Sequence, residues 1–526
     1  MIDQFEFDVC SKDFDPECYR AELLRASINV QGDDLCRHFC EVGWRLGLDP
    51  TRWFSVSEYL TANSDVSALG VNPFYHYLVA GRIEGRVANE TSGEFIEGYK
   101  QFRNCTTLEN EALHWKKDLA SIEVSSEKFF SETLRLEGFR SNTRAVLSFS
   151  HDDYTRNAGG VQLCISEEEN HLKGLGYRYI HCFPVSPSPM LAKPDMAYFV
   201  CGVSVDGRFI GFFPITAIFR ALRSLTILCQ VVVHSLLGFS PELLVVGLRQ
   251  LGVRKIYFWA HDFFSICPSW TLLRNRVSYC DGPPVGSSQC EFCYFGSVRA
   301  KHVERLRTFF EIFEVEVLAP SEDTAIRFER MASAVDYRVG GVFVLRHVKF
   351  DVLKTAPRAF VNRLPRVAFL GHPAYHKGWS DFLTIFKSPL LSGKVEFYHL
   401  GLHNLNVGRG LRYVEVNSAV SGGEAMINAV RDNEIDFCFI WSRWPETFGF
   451  VATEAVIGGS RVLTRTGSGN VEFFSRNHRV GDVFCNVSEV IEFLSAIDVS
   501  GSSIEFPVRA DFSRSKFTAT VLAGEF

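Results

Sequence analysis

The stretch from 435 to 472 constrains the fold more than any other part of the chain. It opens with IDFCFIW (435–441), a continuous apolar run of strand length, and 461–464 is a second short apolar run. A proline and a glycine interrupt regular structure after the first run, and two adjacent glycines precede the second. The pattern predicts a strand, a loop, one helix and a second strand.

Two glutamates lie between these runs, eight positions apart. We expect Glu446 in the loop that leaves the first strand and Glu454 about one turn inside the helix. Glu446 would then overlook the helix N-terminus, whose free N–H groups and positive partial charge favour phosphate. Carboxylates beside a phosphate site suggest a ligand rich in hydroxyl groups, whereas the plainer alternative is a pair of solvated helix-end carboxylates.

This segment resembles the signature of retaining GT-B glycosyltransferases of family 4. In that family two glutamates separated by seven residues straddle a strand-to-helix turn. The resemblance implies that Glu446 meets the donor sugar and Glu454 the nucleotide ribose. It also implies a donor site formed by the residues between them, which are Thr447, Phe448, Gly449, Phe450 and Val451.

Composition limits the class of protein. A chain of 526 residues is too long for one core and suggests about three units. Its 46% hydrophobic and 22% charged residues are ordinary for a soluble globular protein. The net charge of −6 gives no electrostatic case for nucleic-acid binding.

The location is predicted to be cytoplasmic. The N-terminus (MIDQFEFDVCSKDFD) is acidic and lacks the apolar core of a signal peptide. The longest apolar run, 225–239, is interrupted by polar residues and is too short to span a bilayer. Fifteen cysteines, an odd number mostly inside apolar strands, suit a reducing compartment. Peripheral contact with the inner face of the membrane is left open.

The first ninety residues contain an internal repeat. FDPECY (14–19) returns as FSVSEY (54–59), and a histidine–aromatic pair followed by glycine, at 38–43, returns at 76–81. The pattern predicts helical hairpins that need a partner to cover their apolar face. The second copy resembles a short module found beside glycan-building domains in bacterial multidomain proteins. A packing element without a ligand and a surface for a protein partner are the two interpretations of residues 1–88.

The remaining boundaries follow changes in pattern. Residues 89–142 are polar and are interpreted as a linker with helices. Apolar strands alternating with helices then predict two Rossmann-like domains, at 143–345 and 346–500. The resemblance implies that the N-terminal one is the acceptor domain and the C-terminal one the donor domain. Residues 501–526 form a tail, which we expect, with the region from Ile491, to be helical and to cross back to the first domain. The fold class is therefore α/β, and the resemblance implies a GT-B fold with two Rossmann-like domains facing a cleft, preceded by a small helical module.

The first Rossmann-like unit opens with RAVLSFS (144–150). Gly159 and Gly160 follow and begin a predicted helix that runs to about Lys173. Glycines at this turn let a ligand approach the backbone at a helix N-terminus. In the resembled family such a loop faces the donor phosphate or the acceptor, so both glycines are assigned to the donor site.

Two histidines end apolar strands of this domain. His234 and His261 lie at the carboxyl ends of their strands, where open α/β sheets place ligands. The resemblance implies that His261 approaches the donor sugar near the reacting centre, where an imidazole can donate a hydrogen bond. His234 is interpreted as a core or supporting residue.

Four cysteines follow in a loop rich in glycine and proline. They are Cys267, Cys280, Cys290 and Cys293. Four thiols at these spacings suffice for a tetrahedral structural zinc site. Reduced thiols and a labile disulfide are the alternatives, and no cofactor is expected for catalysis itself.

The second Rossmann-like unit carries the cationic candidates. VAFLG (367–371) is a predicted strand, and a loop leads into a predicted helix at 379–386. The resembled family has an arginine directly after the strand glycine and a lysine a few positions on, which neutralise the diphosphate. Lys377 matches the lysine, whereas His372 stands at the arginine position. The alternative for Lys377 is an exposed lysine at a helix start.

Together with these features, the resemblance implies a retaining hexosyltransferase with Glu446, His261 and Lys377 as its catalytic residues. The resemblance implies a nucleotide-sugar donor, a glycan or lipid-linked acceptor and a role in bacterial surface polysaccharide (lipopolysaccharide or capsule) synthesis. Two rivals remain open, a catalytically degenerate GT-B protein that binds glycans or scaffolds a partner and a nucleotide-sugar epimerase.

Overall fold

The computed structural model divides the chain into two compact units. One contains residues 1–114 and 286–297, and the other contains 115–285 and 298–526. The residues described are 4–26, 28–30, 34–51, 53–82, 86, 88, 122–157, 159–185, 188–194, 199–274, 276–291, 293, 295–358, 360, 363–405, 407–408, 410–417, 423–497 and 504–524. Most of the predicted linker, at 89–121, lies outside them.

The first unit is helical. Its helices are Gln4–Ser11, Pro16–Arg25, Leu35–Glu41, Val56–Ala62, Ser64–Leu69, Pro73–His76 and Ser288–Glu291, with a 3-10 turn at Gly43–Leu46 and a π turn at Tyr77–Gly81. The two copies of the repeat form the same contact. Tyr19 OH lies 2.8 Å from His38 Nδ1, and Tyr59 OH lies 3.0 Å from His76 Nδ1.

The glycine that closes each copy follows from this contact. A Cβ on Gly43 would lie 1.9 Å from Tyr19 OH, and one on Gly81 would lie 2.0 Å from Tyr59 OH. Each tyrosine therefore occupies the space that a side chain at the glycine would need. The tyrosine, histidine and glycine that recur in the sequence form one packing unit in each copy.

The second unit begins with an eight-stranded sheet. In chain order its strands are β1 (Arg144–Phe149), β2 (Arg178–Pro184), β3 (Val200–Val205), β4 (Arg208–Pro214), β5 (Leu228–Val233), β6 (Lys255–Trp259), β9 (Glu314–Ala319) and β10 (Gly341–Val344), and β7 (Leu273–Arg274) and β8 (Ser278–Tyr279) form a separate small hairpin. The order across the sheet is β10-β9-β6-β5-β1-β2-β3-β4. All pairs are parallel except β2–β3 and β3–β4, so the antiparallel β3–β4 hairpin at the edge was missed from the sequence.

A second sheet has six strands, all parallel. They are β12 (Arg366–Leu370), β13 (Glu396–Gly401), β14 (Leu411–Glu415), β15 (Phe437–Phe439), β16 (Arg461–Arg465) and β17 (Gly481–Phe484), in the order β14-β13-β12-β15-β16-β17. Two Rossmann-like sheets in succession confirm the predicted GT-B fold.

Helices connect the strands of both sheets. They are Glu127–Leu136, Gly160–Gly174, Ile215–Ser224, Pro241–Gln250, Gly296–Ile312, Glu322–Ala334, Trp379–Phe386, Ala425–Asp432, Phe450–Ile457, Asn470–His478, Val487–Ser495 and Thr518–Leu522, with 3-10 turns at Tyr375–Lys377 and Pro389–Leu391. In the described part of the chain, no helix combines the length and the apolar character needed to cross a membrane.

The C-terminal tail is partly a strand, which corrects the prediction of a helix. The last helix of the second sheet ends at Ser495, and β18 (Ile504–Arg514) pairs antiparallel with β11 (Val348–Arg358). The chain then returns to the first sheet, as predicted, because Trp259 Nε1 donates to Thr518 Oγ1 at 2.9 Å. The Arg514 guanidinium also lies 2.7 Å from Glu167 Oε1.

Candidate functional site

The predicted strand, loop and helix around Glu446 are all present. β15 is shorter than the apolar run, and the helix Phe450–Ile457 begins after Gly449. Gly449 has φ 77°, and a Cβ there would lie 2.7 Å from Val471 Cγ2. Glycine at this turn therefore lets the chain enter the helix without strain or overlap.

Lys377 and Glu446 come together at the carboxyl ends of two neighbouring strands. The loops that carry them follow β12 and β15, which pair in parallel, so the loops lie side by side. Lys377 Nζ donates to Glu446 Oε1 at 2.6 Å. Ser442 Oγ donates to the same oxygen at 2.5 Å, and only 7% of Glu446 is exposed. One carboxylate oxygen thus binds a cation and a hydroxyl in a partly desolvated setting.

The backbone of Glu446 is fixed by the turn before the next helix. Its N–H donates to Ser468 O at 3.1 Å, and Asn470 N–H donates to Glu446 O at 2.9 Å. Gly469 lies between them with φ 68°, and a Cβ there would lie 2.7 Å from Glu446 N. The main chain of Glu446 is therefore hydrogen-bonded through both its N–H and its carbonyl, which fixes the point from which its side chain extends.

A half-buried arginine holds the Lys377 loop against the Glu446 loop. Arg443 donates to both carboxylate oxygens of Asp381 at 2.9 and 2.8 Å and to Tyr375 OH at 2.9 Å. Its backbone N–H donates to His376 O at 2.9 Å. Sequence reasoning missed this contact, because partners 62 positions apart leave no local signal. It also missed Ser442, which lies four positions from Glu446 but belongs to no motif of its own.

Glycine is also required directly after Lys377. Gly378 has φ 86°, and a Cβ there would lie 2.3 Å from the backbone oxygen of Trp441. We expect Gly378→Ala to lower the urea midpoint of unfolding by more than Gly393→Ala does. Gly393 has φ 70° but nothing within 4 Å of its Cβ position, so it reports the conformational cost alone, about 1–2 kcal/mol. Equal losses in both variants would show that the close approach to Trp441 costs nothing.

Thr447 links the two sheets. Its Oγ1 donates to His261 O at 2.7 Å. Its carbonyl accepts from Ser321 Oγ at 2.8 Å and Thr324 Oγ1 at 2.9 Å. The residue beside Glu446 therefore bonds to the first Rossmann-like domain through both its hydroxyl and its peptide.

The glycine pair of the first domain lies against the start of the Phe450–Ile457 helix. A Cβ on Gly160 would lie 3.2 Å from Phe450 Cδ2, and one on Gly159 would lie 2.3 Å from Gln162 Oε1. Phe448 and Phe450 pack on each other with ring centroids 4.8 Å apart. The predicted donor residues of the two domains thus meet at one helix N-terminus, where backbone N–H groups favour an anion.

Glu454 lies inside this helix, as predicted, and its carboxyl group is unusual. Burial raises its pKa from 4.5 to about 7, and Arg514 opposes part of the shift. Between pH 4.5 and about 7, the Glu454 carboxyl group therefore keeps its proton in the native protein and loses it in the unfolded chain. That contribution to stability is lost as the pH rises through the window.

We expect Glu454→Gln to gain stability relative to the wild type as the pH rises from 4.5 to 7. The amide cannot ionise, so the variant avoids the cost that the wild type meets when its carboxyl group loses the proton. Melting temperatures measured across this window test the prediction. Glu424→Gln, at an exposed position, is the matched control. Parallel curves for wild type and Glu454→Gln would contradict the assignment.

His261 lies at the start of a chain of buried polar groups. Its Nε2 is 3.0 Å from His234 Nδ1, and His234 Nε2 is 3.2 Å from Glu168 Oε1. The Trp259 ring stacks on His261 with centroids 5.3 Å apart. Burial, then the neighbouring histidines, lower the pKa of His261 well below its ordinary value, so the ring is neutral at physiological pH. His234 is the supporting residue, and Glu168 was not singled out from the sequence.

His372 and the loop cysteines were also candidates. The His372 ring is exposed, and its edge faces His403 with centroids 5.3 Å apart. Among the cysteines, Cys267 and Cys280 belong to the second unit, whereas Cys290 and Cys293 belong to the first, where Cys293 N–H donates to Cys290 O at 3.1 Å. The structural zinc site stays a prediction.

The chain is similar in structure to known proteins only at a distance. No protein-family model matches it, and no curated protein does. Anabaena HepE in complex with UDP-glucose shares 14% identity and a TM-score of 0.39, over 66% of this chain and 88% of HepE. A Rickettsia africae glycosyltransferase shares 11% identity and a TM-score of 0.35, over 68% of this chain and 89% of that one. Phytolacca americana UGT2 shares 10% identity and a TM-score of 0.37, over 69% of this chain and 91% of UGT2. Likeness this weak says nothing about the activity of this protein.

Proposed function

We propose that the protein is a retaining glycosyltransferase of the family 4 type. It would move a sugar from a nucleotide-sugar donor to a glycan or lipid-linked acceptor. The observation that carries the proposal is the Lys377–Glu446 pair, 2.6 Å apart at the carboxyl ends of adjacent parallel strands and next to the N-terminus of the Phe450–Ile457 helix. A surface polysaccharide role at the cytoplasmic face of a bacterial membrane is part of the same proposal.

The phosphate end of the donor would be bound by positive charge. The backbone N–H groups at the start of the helix and the Lys377 ammonium would stabilise the charge that builds on the diphosphate as it leaves. Lys377 is 38% exposed, so it can reach the ligand while Glu446 holds its nitrogen in place. Such pre-positioned charge usually contributes most to catalysis of this kind.

The sugar end of the donor would meet Glu446. Its buried carboxylate would accept hydrogen bonds from sugar hydroxyls and favour positive charge on the ring. The bond between the anomeric carbon and the diphosphate oxygen breaks, and its electron pair stays on the diphosphate. The acceptor oxygen bonds to the same face of that carbon, and its proton passes to the departing diphosphate, so the configuration is retained.

His261 would contribute position in this reaction. Thr447 Oγ1, next to Glu446, bonds to the His261 carbonyl at 2.7 Å, which ties the strand end of the first domain to the donor loop. The contact favours a site that is complete only when both domains are in register. It also supports assigning His261 to the reacting centre, as the resemblance implies.

A degenerate GT-B protein and an epimerase are the competing functions. His372, at the position where the resembled family carries an arginine, favours the first. Thermal-shift screening of the full chain against nucleotides and nucleotide sugars identifies the donor, because a ligand that binds the folded state raises the melting temperature. The identified donor is then incubated with and without acceptor glycans, and the anomeric configuration of the product is determined by NMR. Transfer with retention supports the proposal, binding without turnover supports degeneracy, and an altered sugar without acceptor supports epimerisation.

A further inference from the structure

Three potential metal ligands meet in the interior of the second unit. They are Cys164 in the helix Gly160–Gly174, His261 after β6, and His347 between β10 and β11. Each offers one ligand atom, and these atoms all lie within 4.8 Å of one another. Cys164 and His347 are each 1% exposed, and His261 is 9% exposed. The three segments are far apart in the chain, so only the fold brings these side chains together.

His347 has a buried ring nitrogen whose hydrogen-bonding capacity is not used. Its Nδ1 is buried and has no hydrogen-bond partner. Leaving such a group unpaired in the protein interior is unfavourable. The ring is enclosed by aromatic side chains, with Trp259 at 5.0 Å, Phe517 at 5.2 Å and Phe450 stacked at 5.5 Å between centroids. A metal ion bound at Nδ1 would satisfy the nitrogen in surroundings that offer it no other partner.

His261 has the outer hydrogen bond that a metal-bound histidine requires. Its Nε2 is engaged with His234, which continues to Glu168, and this leaves Nδ1 for a ligand. Histidines that bind a metal nearly always engage their other ring nitrogen in this way, which fixes the ring and strengthens it as a ligand. The His261–His234–Glu168 chain is therefore an independent observation in favour of an ion.

We propose that Cys164, His261 and His347 bind a transition-metal ion, which by its donor set is zinc. One thiolate and two imidazoles suit this ion, and tetrahedral geometry places such ligand atoms about 3.3–3.8 Å apart. Atoms already within 4.8 Å need only small rotations to reach these distances. Binding replaces the proton of the Cys164 thiol by the ion and releases that proton.

The role of the ion is structural. It would fasten the segment between the two sheets, at His347, to the first domain behind Phe450, the residue at which the donor helix begins. This inference does not depend on the proposed glycosyl transfer. With both His261 nitrogens occupied, the ring would serve the reaction by position through its backbone carbonyl, and not by donating to the sugar.

Metal analysis of the full-length protein tests the site. The protein is dialysed against excess Zn²⁺ and then against buffer, and metal is measured for wild type, Cys164→Ala and His347→Ala. Cys182→Ala, which removes another buried thiol, in β2 of the same domain, is the matched control. The wild type and the control should hold about one ion more per chain than either variant. The same content in all four proteins, or a wild type that retains no metal, would overturn the proposal.

A second measurement separates this site from the predicted cysteine loop. Cys290→Ser combined with Cys293→Ser removes two of the four predicted loop ligands and leaves Cys164 unchanged. X-ray absorption at the metal edge of this double variant should show one sulfur and at least two nitrogen neighbours, and it remains decisive if the Ala variants do not fold. A shell of sulfur alone, or no metal in the double variant, would overturn the site. Copper or cobalt in the same mixed shell would support the site with another ion.

Discussion

Glu446→Gln should lower the rate of sugar transfer by about 10²–10³-fold, the loss typical when one preorganised charged or polar group is removed from a reacting centre. The substitution keeps the shape of the side chain and removes its charge. Lys377 Nζ then loses the carboxylate oxygen that holds it at 2.6 Å, although Ser442 can still donate to the amide oxygen. In the proposed reaction the donor would lose the carboxylate that stabilises positive charge on its sugar ring, and Lys377 would lose the charged partner that holds its ammonium group.

Lys377→Ala should lower the rate to a similar extent for a different reason. The charge on the leaving diphosphate would then be stabilised by the helix N–H groups alone. Both residues lie in loops, so their substitution should move the melting temperature little. Measurements of kcat and KM with the identified donor, together with melting temperatures, separate loss of chemistry from loss of fold.

Exposed residues of the same domain supply the controls. Glu424→Gln and Lys394→Ala make the same chemical changes on the surface and should leave kcat unchanged. Near wild-type turnover in Glu446→Gln or Lys377→Ala would remove that residue from the donor site. A parallel fall in kcat and melting temperature would instead assign it to the fold.

Local pattern was enough to place most elements around the site. The helix predicted at 379–386 spans Trp379–Phe386, and the helix after Gly449 ends at Ile457, before the glycine pair. Apolar runs bounded by glycine and proline fix such elements because the signals act over a few residues. The prediction of two Rossmann-like sheets, now confirmed, rests on those signals.

Pairing between distant segments could not be predicted in the same way. β18 has the alternating apolar pattern of a strand (IEFPVRADFSR), which the prediction of a helical tail overlooked, but nothing local indicates that it pairs with β11, more than a hundred residues earlier. The β3–β4 hairpin also carries a local signal that was overlooked, because Asp206 and Gly207 form its two-residue turn with φ 46° and 83°. Of these two misses, only the choice of β11 as the partner of β18 is decided by contact between distant segments.

The residues of the candidate site also fall into two groups, those that a local motif indicates and those that only the fold brings together. Glu446 and Lys377 were each found from short motifs, but Ser442 and the Arg443–Asp381 pair have no motif of their own. Glu168 sits in a run of glutamates that is typical of a solvated helix face, yet it is fully buried. Its buried carboxylate contacts His234, directly after β5, and only the fold brings the two residues together.

Asp436→Asn should destabilise the protein by about 3 kcal/mol, the lower end of the cost of removing one partner of a buried ion pair, because the Arg358 and Arg363 side chains are 31% and 29% exposed. Asp436 is 0% exposed and lies inside the apolar run that predicts β15. Its Oδ1 accepts from Arg358 at 2.9 Å and from Arg363 at 2.7 Å. Its Oδ2 accepts from Arg363 at 2.6 Å and from the Arg366 N–H at 2.9 Å.

An asparagine side chain has only one acceptor oxygen and cannot accept from all of these donors. Its amide nitrogen is itself a donor, so at least one guanidinium N–H would lose its acceptor and face another N–H group. Both arginines would also keep their charges without the carboxylate that compensates them. The group sits at the amino end of β15, away from the loop that carries Glu446, so the loss should appear in stability and not in the chemistry of the folded protein.

Asp482→Asn is the matched control, because Asp482 also receives a two-point contact from an arginine. Arg461 donates to it at 2.6 and 2.9 Å, but the Asp482 side chain is 29% exposed. A pair open to solvent contributes about 0.2–1 kcal/mol. Urea unfolding of the two variants, followed by kcat in the folded range, compares them directly. If Asp436→Asn lost no more stability than Asp482→Asn, the four buried hydrogen bonds would contribute no more than a surface pair, and β15 would owe its position to its apolar residues alone.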